Sequence, residues 1–214
     1  SITAKHSNRL DITLRVVHTG QHYDNNLSGT FFEEVNIPLP DINLEVQSGT
    51  QAEQTAAIMI GFEKEICINP CDLVLVVGDV TSTMACTIVA KKAGIKVAHV
   101  EAGIRSGDMG MPEEINRVVT DTLADILWTP SQDGDDNLSR EGVPKSKIHR
   151  VGNIMIDSLE MVREKIRAEN TVGDLRLENG RFAVVTLPRP SNVDVPNKLK
   201  ELCETLVAIS KRIP

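Results

Sequence analysis

Short apolar runs alternate with longer amphipathic segments along most of this chain, and that alternation constrains the fold more than any other feature. "DLVLVVGD" (72–79) is a continuous apolar run closed by a glycine and an acid. "TSTMACTIVAKKAG" (81–94) follows, with hydroxyl residues suited to capping a helix and Lys-Lys-Ala-Gly suited to ending one. "KVAHVEAG" (96–103) then returns to a strand-like run. A continuous apolar run reads as a strand covered on both faces. Strands joined through helices rather than hairpin turns imply a parallel sheet built from right-handed crossovers. The expected fold class is α/β, a parallel sheet flanked by helices.

The same reading extends in both directions. "ITLRVVHTG" (12–20) predicts a strand ending in a turn, and "QTAAIMIGFEKEI" (54–66) a helix carrying Ala57, Ile58, Ile60 and Phe62. Pro112 suits a first helical position, with Glu113 and Glu114 at the positive end of the helix dipole. Ile115, Val118, Val119, Leu123 and Ile126 then recur on one face, so this helix is expected to pack that face inward. "ILWTPS" (126–131) predicts a short strand, "HRVGNIMID" (149–157) a strand running into a turn, and "SLEMVREKIRAEN" (158–170) a helix.

A boundary is expected next. "TVGDLRLENGR" (171–181) is polar and turn-rich, "FAVVTL" (182–187) predicts a new strand, and "PRPSNVDVPN" (188–197) a loop. "KLKELCETLVAISKRI" (198–213) predicts a helix with Leu199, Leu202, Leu206, Ile209 and Ile213 aligned. Residues 1–170 read as one domain and 171–214 as the beginning of a second. One βα unit cannot bury its own apolar face, so the expectation is a fragment of a longer protein.

Charge and composition exclude some partners. The net charge is −7 with no block of lysines or arginines, which disfavours nucleic acid binding by phosphate neutralisation. No stretch approaches the roughly 18 apolar residues of a membrane span, and SITAKHSNRLD lacks the apolar core of a secretory signal. The expected location is cytoplasmic. Cys67 and Cys71 are spaced C-x3-C, with no second pair or histidine cluster at zinc-finger spacing. Cys67, Cys71, Cys86 and Cys203 read as reduced, partly buried thiols, with a structural metal as the lesser alternative.

In open parallel sheets ligands bind at the carboxyl ends of the strands. Asp79 follows "LVLVVG", Glu101 follows "KVAHV", and Glu113 opens a helix after a glycine-containing loop. Neighbouring loops can bring the three acids to one rim, where mutual repulsion raises at least one pKa and suits proton removal and return at carbon. Plainer readings exist for each. Asp79 can cap the helix near Thr81, Glu113 can serve the helix dipole, and Arg117 stands four residues after Glu113, the spacing of an ordinary helical ion pair. Glu101, directly after a buried strand, has no evident structural role. His99 reads as a satisfied core histidine rather than a ligand. "GIRSGDMG" lacks the G-x-G-x-x-G spacing, and "VGDVTST" lacks the lysine of a P-loop.

"TGQHYD" (19–24), "VLVVGDVTST" (74–83), "VAHVEAGIRSGDMGMPEEINR" (97–117), "VGNIMID" (151–157) and "TLPRPSNVD" (186–194) occur in this order. In these stretches the chain resembles the non-hydrolysing UDP-N-acetylglucosamine 2-epimerases over nearly its whole length. The resemblance implies a Rossmann-like N-terminal domain of a glycosyltransferase-B-type two-domain fold, plus the start of the second domain. It implies interconversion of UDP-N-acetylglucosamine and UDP-N-acetylmannosamine, by elimination of UDP and re-addition at C2, in biosynthesis of cell-surface polysaccharide. No redox cofactor and no metal are implied, and the full-length family is usually a homodimer. By resemblance Asp79, Glu101 and Glu113 match the active-site acids, Arg117 and Asp108 are substrate contacts, and Gln21 and His22 are possible allosteric or substrate contacts.

The sequence also departs from the family pattern. Residues 1–214 contain neither a G-T-R-P-E-type loop nor a D-S-G-G-x-x-E-E stretch, in keeping with the expected fragment. Pro188 stands where the family carries a histidine at the diphosphate, and proline has no side-chain donor. Val80 replaces a usual threonine, and Tyr23 and Asp24 follow Gln21 and His22. The 214-residue chain by itself is expected not to turn over. The alternatives are a 2-epimerase for a UDP-2,3-diacetamido sugar acid and a non-catalytic relative that keeps the fold.

Overall fold

In the computed structural model of the chain, which describes residues 12–20, 39–177, 182–187 and 190–212, strands and helices alternate as the apolar pattern predicts. Two compact units are present, Ser1–Met161 and Val162–Pro214. In the first, β1 (Val17–His18) and β2 (Ile42–Asn43) pair in parallel. Strands β3 (Leu73–Val77), β4 (Lys96–Val100), β5 (Ile126–Thr129) and β6 (Ile148–Arg150) form a four-stranded parallel sheet in that order. Helix α1 (Gln51–Ile68) precedes β3. Helices α2 (Thr81–Lys92), α3 (Pro112–Leu123) and α4 (Gln132–Arg140) make the three crossovers. This is the α/β parallel sheet flanked by helices expected from the sequence.

Local chemistry starts and stops these elements. Thr50 and Glu53 form a reciprocal capping box at α1, the Thr50 hydroxyl accepting from Glu53 N–H at 3.2 Å and the Glu53 carboxylate from Thr50 N–H at 2.9 Å. Helix α2 ends at Lys92, and Gly94 adopts φ +77° just beyond it. The core joins Ile58, Phe62 and Ile66 of α1 to Val74 and Val76 of β3, Val89 of α2 and Leu127 of β5. Burying each such side chain is worth roughly 1.5–3 kcal/mol. Val97, Ala98 and His99 are all buried, so β4 is covered on both faces.

Several expectations are corrected. Strand β3 is an edge of its sheet, and its alternate residues Leu73, Leu75 and Val77 are 40–48% exposed, so only the Val74 and Val76 face is covered among the described residues. The uncovered side lines a cavity of about 430 Å³, into which none of the candidate acids projects. The hydroxyls at the start of α2 do not cap it. Its N-cap is Val80, while Thr81 donates to Gln51 and Thr83 to the Val77 carbonyl. The segment 154–157 is helical rather than extended, because β6 ends with the Thr129–Arg150 pairing, Gly152 turns at φ +91°, and Asn153 accepts from Met155 N–H to begin α5 (Ile154–Ala168). All four cysteines are free, and Cys86 alone is buried, which pushes its thiol pKa up to about 12.

The second unit contains α6 (Thr171–Asp174), α7 (Pro190–Val193) and α8 (Pro196–Ser210), so the expected loop at 188–197 is partly helical. The expected strand at 182–187 pairs with nothing among the described residues, and a strand exists only through its ladder. On α8 the predicted stripe Leu199, Leu202 and Leu206 is half-buried, while Ile209 stays exposed. No helix among the described residues is long and apolar enough to cross a membrane.

Candidate active site

The parallel register of β3 and β4 sets Val77 opposite Val100, so Gly78-Asp79 and Glu101 leave the sheet side by side. Gly78 extends the ladder by donating its N–H to the Val100 carbonyl at 3.0 Å, then turns at φ +70°. The Glu101 carboxylate lies over this glycine, 3.3 Å from where a Cβ on Gly78 would stand. Glu101 itself has φ +70°, a left-handed conformation that costs a non-glycine residue on the order of 1 kcal/mol or more. It has no side-chain hydrogen bond or ion pair among the described residues.

Asp79 does not cap α2. Its carboxylate is ion-paired with Arg117, and its main-chain carbonyl accepts the Asn116 amide at 2.8 Å. Arg117 also donates to Glu114 at 2.9 Å. The helical ion pair expected with Glu113 is therefore made with Glu114 and Asp79 instead. Burial works against the Arg117 charge, but Glu114 and Asp79 outweigh it and hold its pKa above the ordinary arginine value.

Helix α3 turns a polar face inward, contrary to the apolar packing predicted for it. Glu114, Asn116, Thr120 and Asp121 are buried, and Ile115 is 44% exposed. Glu114 accepts from Ser106 N–H at 3.0 Å, Gly107 N–H at 2.9 Å and Arg117. Burial pushes its pKa up, yet these donors prevail and bring it down to about 2. Asp121 accepts from Gly103 N–H at 3.0 Å and from Arg105 at 2.7 Å, and contacts His99 at 2.6 Å. Arg105 reaches on to Glu141 at 2.7 Å, closing a network that spans β4, α3 and the end of α4.

Asp79, Glu101 and Arg117 thus converge on one rim. Glu113 is exposed in the first turn of α3, with no side-chain hydrogen bond or ion pair among the described residues. Asp108 is exposed and caps its own loop, accepting from Gly110 N–H at 2.9 Å. Gln21, His22 and Pro188 lie outside the described residues. Glu114, Asn116 and Asp121 also belong to this site, beyond the residues expected from the sequence. Their signal was present, because Glu114, Arg117 and Asp121 recur at i, i+3 and i+7, a helical stripe made of charges. Among the described residues no group of His, Cys, Asp or Glu is placed to hold a metal ion.

The profile of the family described as UDP-N-acetylglucosamine 2-epimerase matches residues 4–214, the whole rim included. The chain belongs to that family. A UDP-N-acetylglucosamine 2-epimerase from Methanocaldococcus jannaschii is 40% identical over 205 residues, which are 94% of this chain and 56% of that protein. A UDP-2,3-diacetamido-2,3-dideoxy-D-glucuronate 2-epimerase from Pseudomonas aeruginosa is 42% identical over 193 residues, 89% of this chain and 53% of that protein. The crystal structure of the Methanocaldococcus jannaschii UDP-GlcNAc 2-epimerase with UDP-GlcNAc and UDP superposes with a TM-score of 0.85 at 38% identity, covering 97% of this chain and 57% of that one. This member of the epimerase family therefore spans about half the length of the curated relatives it matches.

Proposed function

We propose that these residues form the catalytic half of a UDP-sugar 2-epimerase, with UDP-N-acetylglucosamine and UDP-N-acetylmannosamine as its substrate pair. One observation carries the reading: Glu101, strained and unpaired among the described residues, stands beside an Asp79 fixed by Arg117 at the carboxyl end of a parallel sheet. A carboxylate with no protein cation is available to exchange a proton with a bound ligand. Its neighbour, already matched with a guanidinium, adds a charge of fixed position.

In this reading a carboxylate of the rim takes the proton from C2 while the C1–O bond to the diphosphate breaks, leaving a C1=C2 double bond. UDP then re-adds at C1 as a proton returns to the opposite face of C2. Asp79, Glu101 and Glu113 supply the acids, and Arg117 and Asp108 contact the substrate. Residues 1–170 are the N-terminal domain and 171–214 open the second domain of a glycosyltransferase-B-type fold. We place that protein in the cytoplasm as a homodimer that serves polysaccharide synthesis. Conversion of UDP-N-acetylglucosamine by the natural gene product containing these residues tests the assignment. The 42% identity to the diacetamido sugar enzyme favours a second substrate, so both sugars are assayed side by side. Turnover of the diacetamido sugar acid alone overturns the first assignment, and turnover of neither overturns both.

A further inference from the structure

His99 is fully buried, and each ring nitrogen faces an oxygen. Nδ1 is 2.6 Å from Asp121 Oδ1, and Nε2 is 2.8 Å from the Gly78 carbonyl. A main-chain carbonyl only accepts, so Nε2 carries a proton. Asp121 Oδ2 receives both Gly103 N–H and the Arg105 guanidinium, donors that favour a carboxylate over an acid, so the proton between Oδ1 and Nδ1 belongs to the ring. A neutral imidazole has one donor nitrogen, which would leave one of these two short contacts without a proton. Among the described residues the ion pairs that join here are His99 with Asp121 of α3, Asp121 with Arg105 of the loop after β4, and Arg105 with Glu141.

We propose that His99 is a positioning residue, a doubly protonated ring that clamps the Asp79 loop to the Glu101 loop. One donor holds the carbonyl of Gly78, the residue before Asp79. The other reaches Asp121, which holds Gly103 and Arg105, two and four residues beyond Glu101. A single buried ion pair thereby fixes the separation of two acids that lie 22 residues apart. The loop has little freedom to compensate, since Gly103 packs directly against Gly134 and its carbonyl accepts from Asn137 at 2.8 Å. The catalytic consequence rests on the function proposed above, whereas the clamp itself does not.

Nitrogen NMR of the 214-residue chain labelled with 15N-histidine tests the clamp without any assay. Both His99 ring nitrogens are expected at protonated shifts in neutral buffer, with the signal assigned by its loss in H99Q. A pyridine-type nitrogen on His99 overturns the proposal. In H99Q the amide resonances of Gly78, Asp79 and Gly103 are expected to move, and unmoved resonances also overturn it. D121N serves if H99Q does not fold, with the expectation that His99 then loses one ring proton. In the natural gene product, H99Q is expected to lower kcat about tenfold or more while KM changes little, as for misplaced rather than missing catalytic groups. A change in KM alone contradicts positioning of the acids. Absence of turnover in the unmutated protein contradicts the proposed function and leaves the NMR result to decide the clamp.

Discussion

Arg117 holds Asp79 across 38 residues of sequence, pairing a helix guanidinium with the carboxylate that leaves the edge strand β3. The same guanidinium holds Glu114, which is buried. Removing one partner of such a cluster leaves charge buried without compensation, at about 3 kcal/mol or more. R117M is therefore expected to lose about that much stability in urea unfolding at neutral pH. An unchanged midpoint would mean that the pair adds nothing to the fold.

The same cluster gives the protein an acid-sensitive element. The Glu114 pKa lies near 2 in the folded state, against 4.5 for an unperturbed glutamate. A depressed folded value means that the unfolded chain binds the proton first, so stability is full above about pH 4.5 and is lost as pH falls toward 2. The swing amounts to about 3 kcal/mol. E114Q is expected to be less stable than the parent at neutral pH and to show a flatter stability profile below pH 4.5. Parallel profiles for the two proteins would contradict the assignment.

Two glycines separate conformational strain from contact. Gly103 and Gly142 have nearly equal φ, +81° and +83°. A Cβ on Gly103 would stand 2.4 Å from the Gly134 carbonyl oxygen, whereas one on Gly142 meets nothing within 4 Å. G142A is expected to cost about 1 kcal/mol, the left-handed penalty alone. G103A is expected to cost about 3 kcal/mol or more, because two backbones must also move apart. Equal melting temperatures for the two variants would show that the contact at Gly103 is relaxed at no cost.

Much of the layer order was legible because hydrophobic period is a local signal. Val74, Val76, Val97 and Leu127 lie in short apolar runs that read as strands, whereas the helix expected at 54–66 starts earlier, at Gln51 after the Thr50 cap. The apolar pattern misleads on α3, where Glu114, Asn116 and Asp121 are buried through partners contributed by the 103–107 loop, the turn after β3 and His99 of β4. Those partners are distant in sequence, so composition along the helix could not show them. The run at 182–187 failed for a related reason, since strand pairing is a relation to other segments. Asp79 and Glu101 were legible from their places at strand ends. Nothing local distinguished Glu113 from Glu114, and helix rotation puts only the second of them inside.

Glu101 carries backbone strain that a structural acid would not need. Glycine relieves a left-handed φ at some entropic cost, so E101G is expected to stabilise the fold by about 1 kcal/mol relative to E101A. Both variants are expected to be without activity in the natural gene product. A stabilised variant that keeps full turnover would remove Glu101 from the chemistry.

The most direct measurement is solvent deuterium incorporation at C2 of UDP-N-acetylglucosamine by the natural gene product, with E101Q as its control. The account predicts deuterium at C2 in both epimers, and at least a hundredfold slower exchange in E101Q, about the lower end of the range for loss of a general acid or base. A well-folded protein that binds the sugar nucleotide without exchanging C2, or an E101Q variant that exchanges at the parent rate, would contradict it.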